Sequence, residues 1–169
     1  MKFNKTIVSL SVMLLLTATI VGVGFTKGTA YNMDFATKLA ASYVPYSSQP
    51  AGASELSDRF NLRYTDQTQI YEVAVDKVHG KVVSMKTIYT ANKAGSTASL
   101  NENNIREIIQ HSTPDAAIQS VTLETANNQP VYEAIYDTST SHTIAHLSAS
   151  TGNTLDRTVE YTDIAPYTR

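Results

Sequence analysis

The 169-residue sequence contains no cysteine and no tryptophan. Without cysteine, the chain cannot form a disulfide, a thiolate zinc site or a catalytic thiol, and it offers no cysteine for a lipid anchor. Its 13 basic residues nearly balance 15 acidic ones, and they form no basic stripe. Proteins neutralise a phosphate backbone through such a stripe, so nucleic acid is not expected as a partner.

One long uncharged run lies near the N-terminus, at residues 6–26, after Lys2 and Lys5. About 20 apolar residues are enough to cross a bilayer as a helix, and the run is longer than the apolar core of a typical signal peptide. It therefore predicts a retained single-pass membrane helix, with everything after about Tyr31 outside the cell. Small residues just before Tyr31 leave cleavage and secretion as the alternative.

The rest of the chain shows a helix followed by strands, and then the same order again. The first helix is expected after Asn32 and before Pro45. Segment 45–54, rich in proline, serine, glycine and alanine, is predicted to be an irregular loop. Alternating apolar residues then predict a strand at 59–66 and a hairpin around Gly80.

The second set of elements begins with a helix from about Leu100 to His111, because Ser99 and Glu102 stand at capping-box spacing. Strands at 117–125 and 130–137 and a hairpin around Gly152 are expected to follow. The residues predicted to form the core of this unit are Ile105, Ile108, Ile109, Val121, Leu123 and Tyr132.

Two nine-residue stretches are nearly the same: TQIYEVAVD at 68–76 and QPVYEAIYD at 129–137, which are 61 positions apart. The preferred interpretation is a duplicated helix-plus-sheet module in which these stretches are equivalent. A second register, with an offset of 72, aligns Gly80 with Gly152 instead. That register places PYSSQPAGASE where the first strand of the module should be.

The second unit resembles a PepSY domain over about residues 100–160. The resemblance rests on a helix, the strand PVYEAIYD and the hairpin LSASTGNTLDR, where the family has a strand like pxYEV and a hairpin D-x-x-TG-k-v. Ser148 stands where the family often has aspartate, and Asn153 and Thr154 replace its common lysine and valine. The whole layout is similar to the TseB-like cell wall elongation regulators of Gram-positive bacteria.

The resemblance implies an α+β fold. An N-terminal transmembrane helix would precede two small cystatin-like, PepSY-type units, each one helix packed on an antiparallel sheet. The predicted boundaries are 1–30 for the cytoplasmic tip and membrane helix, 31–92 for a first degenerate unit, 93–99 for a linker, 100–162 for the PepSY domain and 163–169 for a tail.

The resemblance also implies a non-catalytic, membrane-anchored regulator outside the cytoplasm. Such a module would act in cell wall synthesis or elongation through a surface protein such as a penicillin-binding protein. PepSY domains also occur in propeptides of secreted metallopeptidases, so an inhibitor or chaperone of a secreted peptidase is the alternative. No cofactor is expected.

No catalytic or metal signature stands out in the residues themselves. No nucleophile motif is found, so the chain is predicted not to be an enzyme. His142 and His146 fall on one face of a predicted strand, about 13 Å apart at roughly 3.3 Å per residue, which is too far for one metal ion. Glu72 and Glu133 fall on the strand face opposite the tyrosines, which is predicted to be solvated and is unsuited to acid–base work.

Five residues are candidates for motif or partner-binding positions: Tyr71, Glu72, Tyr132, Glu133 and Gly152. The two tyrosines are expected mainly to pack under the helices, with the hydroxyl at the rim of the core. A contact with a partner is the alternative, because tyrosine is common at interface centres.

Overall fold

The structure is a computed structural model that describes residues 31–162. In chain order its elements are α1 (Met33–Ala41), β1 (Gln49–Glu55), β2 (Arg59–Thr65), β3 (Gln69–Asp76), β4 (Val82–Tyr89), α2 (Glu102–Ser112), β5 (Ala117–Ala126), β6 (Gln129–Asp137), β7 (Ser141–Ser148) and β8 (Thr154–Tyr161). The strands form one eight-stranded sheet in the order β1-β2-β3-β4-β8-β7-β6-β5. Every neighbouring pair in it is antiparallel.

The sheet consists of two four-stranded meanders that are joined through their last strands. We call α1 with β1–β4 the first half, and α2 with β5–β8 the second half. The seam between them is the antiparallel pair β4–β8, in which Lys86 lies opposite Thr158. These two residues are equivalent at an offset of 72, so the halves are related by an approximate two-fold axis through this pair.

Backbone hydrogen bonds recur in the two halves at the same offset. Gly80 donates to the carbonyl of Asp76 over 3.1 Å, and Gly152 donates to the carbonyl of Ser148 over 2.8 Å. The other recurring bonds, named by their donors, are those of Asp66 and Thr138, Asp76 and Ser148, Lys77 and Ala149, and Thr90 and Thr162. The duplication is therefore present in the backbone, although few side chains still show it.

Both helices begin at an asparagine. The Asn32 side chain accepts a hydrogen bond of 2.9 Å from the backbone N–H of Phe35, which satisfies one of the free donors at a helix start. In α2, Asn101 and Asn104 exchange two such bonds of 3.0 and 3.1 Å. The capping box predicted at Ser99 is therefore wrong by two residues.

Strand alternation and the pairing registers put both helices on the same face of the sheet. α1 packs on β2 and β3, and α2 packs on β5. The core of the first half is formed by Ala36, Leu39, Ala40, Phe60, Leu62, Tyr64, Tyr71, Val73, Val75 and Val82. The core of the second half is formed by Ile105, Ile109, Ala116, Val121, Tyr132, Ala134, Tyr136, Ala145, Leu147 and Ala149.

The predicted fold class is wrong. The described chain is mostly β, with one continuous sheet and two short helices of 9 and 11 residues, instead of two separate cystatin-like units. The physical reason is the seam, because pairing β4 with β8 satisfies two strand edges that separate units would leave exposed.

The predicted membrane helix falls in residues 1–30, outside the described residues. Within residues 31–162, no helix is long and apolar enough to span a bilayer.

The predicted loop at 45–54 and the preferred repeat register are also wrong. Residues Gln49–Glu55 form β1, which is exposed along its whole length and so lacks the apolar alternation by which a strand is recognised. With β1 in place, QPVYEAIYD is the second strand of its half, whereas TQIYEVAVD is the third strand of the other. The offset of 72 pairs equivalent elements, and the offset of 61 does not.

Four of the six residues predicted for the second core are buried: Ile105, Ile109, Val121 and Tyr132. Ile108 is partly buried and packs against this core. The prediction for Leu123 is wrong, because it is 51% exposed. Leu123 lies on β5, the edge strand of the sheet, where no further element covers it.

Candidate functional site

The sheet face opposite the helices, here called the open face, carries most of the charge that the strands hold. By strand alternation, its charged residues in the first half are Arg59, Arg63, Glu72, Asp76 and Lys86. In the second half they are Glu124, Glu133, Asp137, Asp156 and Glu160, together with His142 and His146. The first half is thus nearly balanced, and the second half is acidic.

Each of the two histidines lies between two carboxylates in a row that crosses β6, β7 and β8. His142 is opposite Asp137 on one side and Glu160 on the other. His146 is likewise opposite Glu133 and Asp156. Cross-strand neighbours on one face have Cβ atoms about 4.5–5.5 Å apart, so each row brings one imidazole between two acids.

Between the two rows lies an apolar pair, Ile135 on β6 and Ile144 on β7, which are direct cross-strand partners. Both are half-buried. We call the whole arrangement the acidic patch; its residues are Glu133, Ile135, Asp137, His142, Ile144, His146, Asp156 and Glu160. It is an apolar centre with a histidine–carboxylate row on either side.

His146 is held by both of its acidic neighbours. Its Nδ1 is 3.0 Å from Asp156 Oδ1, and its Nε2 is 3.6 Å from Glu133 Oε2. The hydrogen bond with Asp156 raises the pKa of His146, burial opposes this rise, and the charges of Asp156, Glu133 and Glu124 add to it. The result is a pKa above the usual value of the imidazole.

His142 is held on one side only. Its Nδ1 is 2.6 Å from Asp137 Oδ1. The second oxygen of that carboxylate accepts a hydrogen bond of 3.1 Å from Nε2 of Gln119 on β5. Asp137 is therefore oriented from two directions, and it fixes the position of the His142 ring.

The alternation of β7 explains why these side chains point outward. The strand SHTIAHLS places Ser141, Thr143, Ala145 and Leu147 inward, all of them buried, and His142, Ile144 and His146 outward. The prediction that His142 and His146 share one face is confirmed. Sequence reasoning missed their partners, and the one local signal was the spacing between Asp137 and His142 across a short turn, because hairpin neighbours face each other.

The two candidate tyrosines belong to the core and not to the patch. The Tyr71 hydroxyl donates to Asp66 Oδ2 over 3.1 Å, and burial together with this bond raises its pKa to about 12. The Tyr132 hydroxyl donates to the carbonyl of Leu100 over 3.1 Å. Both rings lie under a helix, as the core interpretation predicted.

The other three candidates are separated in space. Glu133 is part of the acidic patch. Glu72 lies on the open face of the first half, opposite Arg63 and Lys86, where its charge is balanced. Gly152 lies in the β7–β8 turn with a positive φ of 75°, and its backbone packs against the side chain of Ile108.

The acidic patch suits the binding of positively charged side chains. Its carboxylates accept hydrogen bonds and favour cations, and the isoleucine pair offers an apolar surface for a methylene stem. Within residues 31–162, no group of three or more histidine and acidic side chains has the arrangement to hold a metal ion.

Comparisons with known proteins do not identify a family for this chain. No protein-family model matches the sequence, and no curated protein matches it. A crystal structure described as a "putative lipoprotein" from Clostridium difficile 630 aligns with a TM-score of 0.33 and 12% identity, over 81% of this chain and 96% of that one. A likeness at this level assigns neither a fold family nor a function.

Proposed function

We propose that this chain is an exported, non-catalytic binding module that recognises a basic segment of a protein partner through the acidic patch. The observation that carries the proposal is the isoleucine pair between two histidine–carboxylate rows. A lysine or arginine side chain can cover Ile135 and Ile144 with its stem while its charged end meets a carboxylate.

The choice of a protein partner and of location rests on the sequence. The uncharged run at residues 6–26, which follows Lys2 and Lys5, favours a location of the following chain outside the cytoplasm. The resemblance of residues 100–160 to PepSY domains favours regulation through protein contact. We place the partner in the cell wall synthesis machinery, for example a penicillin-binding protein, with a secreted peptidase as the other outcome of the test below.

The difference between the two halves supports the choice of face. At an offset of 72, Ile144 corresponds to Glu72 and Ile135 corresponds to Arg63. The same two sheet positions thus carry a cross-strand pair of opposite charges in the first half and an apolar pair in the second. An apolar pair on a solvated sheet face adds nothing to solubility, and a docking role explains it.

A photo-crosslinking amino acid at position 144 of the full-length chain, expressed in cells, tests the proposal. The matched control places the same amino acid at position 72, the equivalent site of the first half. We expect an adduct with one partner at 144 and at least tenfold less at 72. Mass spectrometry of the adduct then distinguishes a wall-synthesis protein from a secreted peptidase.

Charge reversal makes the test specific for the patch. Glu133→Lys with Asp137→Lys should abolish the adduct at position 144, because it removes one acid from each row. Asp115→Lys is the control, since Asp115 is exposed in the loop between α2 and β5, away from the patch. Equal adducts at 144 and 72, or an adduct that survives reversal in the patch, would contradict the proposal.

A further inference from the structure

Within residues 31–162, the helix side of the six inner strands, β2–β4 and β6–β8, carries a single charged residue, Arg157. Its cross-strand neighbours are Thr87 on β4 and Ala145 on β7, and both are buried on the helix side. Because directly paired residues point to the same face of a sheet, Arg157 points there too. At an offset of 72 its counterpart is Met85, so a position that is apolar in the first half carries a cation in the second.

Arg157 also differs from the other arginines of residues 31–162 in its surroundings. Each of the others has an acidic neighbour on its own strand, helix or partner strand: Arg59 with Asp58, Arg106 with Glu102, and Arg63 with Glu72. The cross-strand neighbours of Arg157 are uncharged, and its Nε is buried without a hydrogen-bond partner. A buried donor of a charged group costs stability when no acceptor meets it, so this position calls for an anionic acceptor.

Arg157 lies on the floor of a groove between the two helices. α1 packs on β2 and β3, and α2 packs on β5, so the seam strands β4 and β8 lie between them. Beside Arg157 on this floor, Met85 and Val159 are direct cross-strand partners, and both are partly exposed. The floor therefore offers apolar surface next to the guanidinium.

A tyrosine hydroxyl lies near the guanidinium. Tyr161 follows Arg157 by four residues on β8 and so points to the same side, where its ring centroid is 5.9 Å from that of Tyr43. Burial and the nearby Tyr43 raise the pKa of Tyr161, and the positive charge of Arg157 opposes this rise. The Tyr161 hydroxyl is thus a second donor close to the same charge.

We propose that Arg157 binds the carboxylate of an organic ligand in the groove between α1 and α2. The Nε–H and one terminal N–H of a guanidinium are parallel donors, and the two oxygens of a carboxylate accept both of them. The apolar atoms next to the carboxylate would then cover Met85 and Val159, as in ligand sites that combine apolar walls with a few polar groups. The site lies on the helix side of the sheet, so it is independent of the acidic patch on the open face.

Fluorine NMR of para-fluorobenzoate with the full-length chain in detergent micelles tests the proposal. This probe carries a carboxylate on an apolar ring, and para-fluorobenzamide is its neutral counterpart of nearly the same shape. We expect saturable binding of the benzoate, with an affinity at least tenfold higher than that of the amide. No saturable binding of the benzoate, or equal binding of the two probes, overturns the proposal.

Substitution of Arg157 shows whether the probe binds there. Arg157→Met introduces the residue that occupies the equivalent position of the first half, so the fold should be kept, and it should lower the affinity for para-fluorobenzoate at least tenfold. Arg106→Met is the matched control, because Arg106 already pairs with Glu102 on α2, and it should bind the probe like the parent chain. An Arg157→Met chain that binds the probe as tightly as the parent overturns the proposal.

The Nε–H resonance of Arg157 reports on the contact itself. In nitrogen–proton spectra, it is the arginine Nε–H signal that disappears in Arg157→Lys. We expect this signal to shift when para-fluorobenzoate is added and the Nε–H signal of Arg106 to stay in place. Arg157→Lys keeps the charge without the parallel donors, so it should bind the probe more weakly than the parent chain. Saturable binding that leaves the Arg157 signal unmoved would place the probe elsewhere and contradict the proposal.

Discussion

The two halves of the sheet have the same backbone frame and different side chains on it. Both begin with an asparagine-capped helix and end with a hairpin whose glycine donates back to the strand. The open face is nearly balanced in charge in the first half and acidic in the second. The two halves thus share their backbone structure, and they differ in the side chains of the open face.

The cores of the two halves also differ in which side chains fill them. α1 presents Ala36 and Ala40 to the sheet, where β3 supplies Tyr71 and Val73. α2 presents Ile105 and Ile109, where β7 supplies Thr143 and Ala145. At these positions the first half has small helix residues and larger strand residues, and the second half has the reverse.

The largest effect should come from removing volume on the helix side of the second half. Ile105 is fully buried, so Ile105→Ala should leave a cavity and lower the free energy of unfolding by about 2–5 kcal/mol. Ile108→Ala, at a partly buried position, should cost clearly less. Urea denaturation measures both, and equal losses would show that the helix face is misassigned.

The next effect concerns the hairpin glycines, each of which lies against a side chain in or beside the helix of its half. Gly80 and Gly152 have φ values of 61° and 75°, which other residues adopt at a cost of about 1–3 kcal/mol. A Cβ on Gly152 would meet Ile108 Cδ1, and one on Gly80 would meet the ring of Tyr31, at 2.5 Å or less. We expect Gly→Ala at either site to destabilise the fold by about that amount.

Ile108→Ala sharpens this comparison. It removes the atom that Gly152→Ala would strike, so the double variant should lose less than the sum of its two single variants. The same Ile108→Ala should not relieve Gly80→Ala, whose contact is in the other half. Strict additivity at Gly152 would mean that the backbone conformation alone sets the cost.

Sequence reasoning predicted the elements that have one covered and one open face. β2, β6 and the two glycine hairpins were placed because their apolar residues alternate or their turns carry glycine. β1 was missed because neither of its faces is covered. The β4–β8 seam was missed because both strands already looked complete in their own hairpins, and nothing local shows which edge meets which.

The candidate site was predicted in part for the same reason. Glu133 and the shared face of His142 and His146 follow from strand alternation. Asp156, which orients His146, comes from β8, and the β7–β8 pairing shifts register between His146 and Leu147, directly beside this contact. A sequence pattern carries no information about cross-strand register. The histidine–carboxylate rows of the acidic patch therefore could not be predicted from it.

A smaller effect on the free energy of unfolding is expected at the two hairpin turns. Asp76 and Ser148 hold equivalent positions in them. Asp76 Oδ1 accepts bonds of 2.9 and 2.5 Å from the N–H groups of Val78 and His79, whereas Ser148 Oγ accepts two bonds of 3.3 Å. We expect Asp76→Ser to cost about 1 kcal/mol at neutral pH. Urea denaturation of both chains at neutral pH measures it.

The cost should also depend on pH in a defined direction. Burial raises the pKa of Asp76, but the hydrogen bonds from His79 and Val78 outweigh it and bring the pKa below its ordinary 3.8. A lowered pKa gives stability that is present above that ordinary value and is lost as the pH falls through the folded value. The two chains should therefore converge in acid, and a gap that persists there would contradict the role of the carboxylate.

The smallest effect should come from His146, whose position in the first half is taken by Ala74. Its raised pKa means that its contribution is fully present below the ordinary 6.5 and is lost as the pH rises through the folded value. Because the ring is 33% exposed, we expect at most about 1 kcal/mol, as for partly solvated ion pairs. His146→Gln should remove this pH-dependent loss of stability, and His111→Gln, on the exposed end of α2, should not.

Binding of a basic segment should change with pH in the opposite direction, because deprotonation of His146 leaves the charges of Glu133 and Asp156 unopposed. Unfolding and crosslinking at position 144, each followed across the neutral range, should thus move in opposite directions, and a His146→Gln variant that keeps both pH dependences would show that the imidazole governs neither.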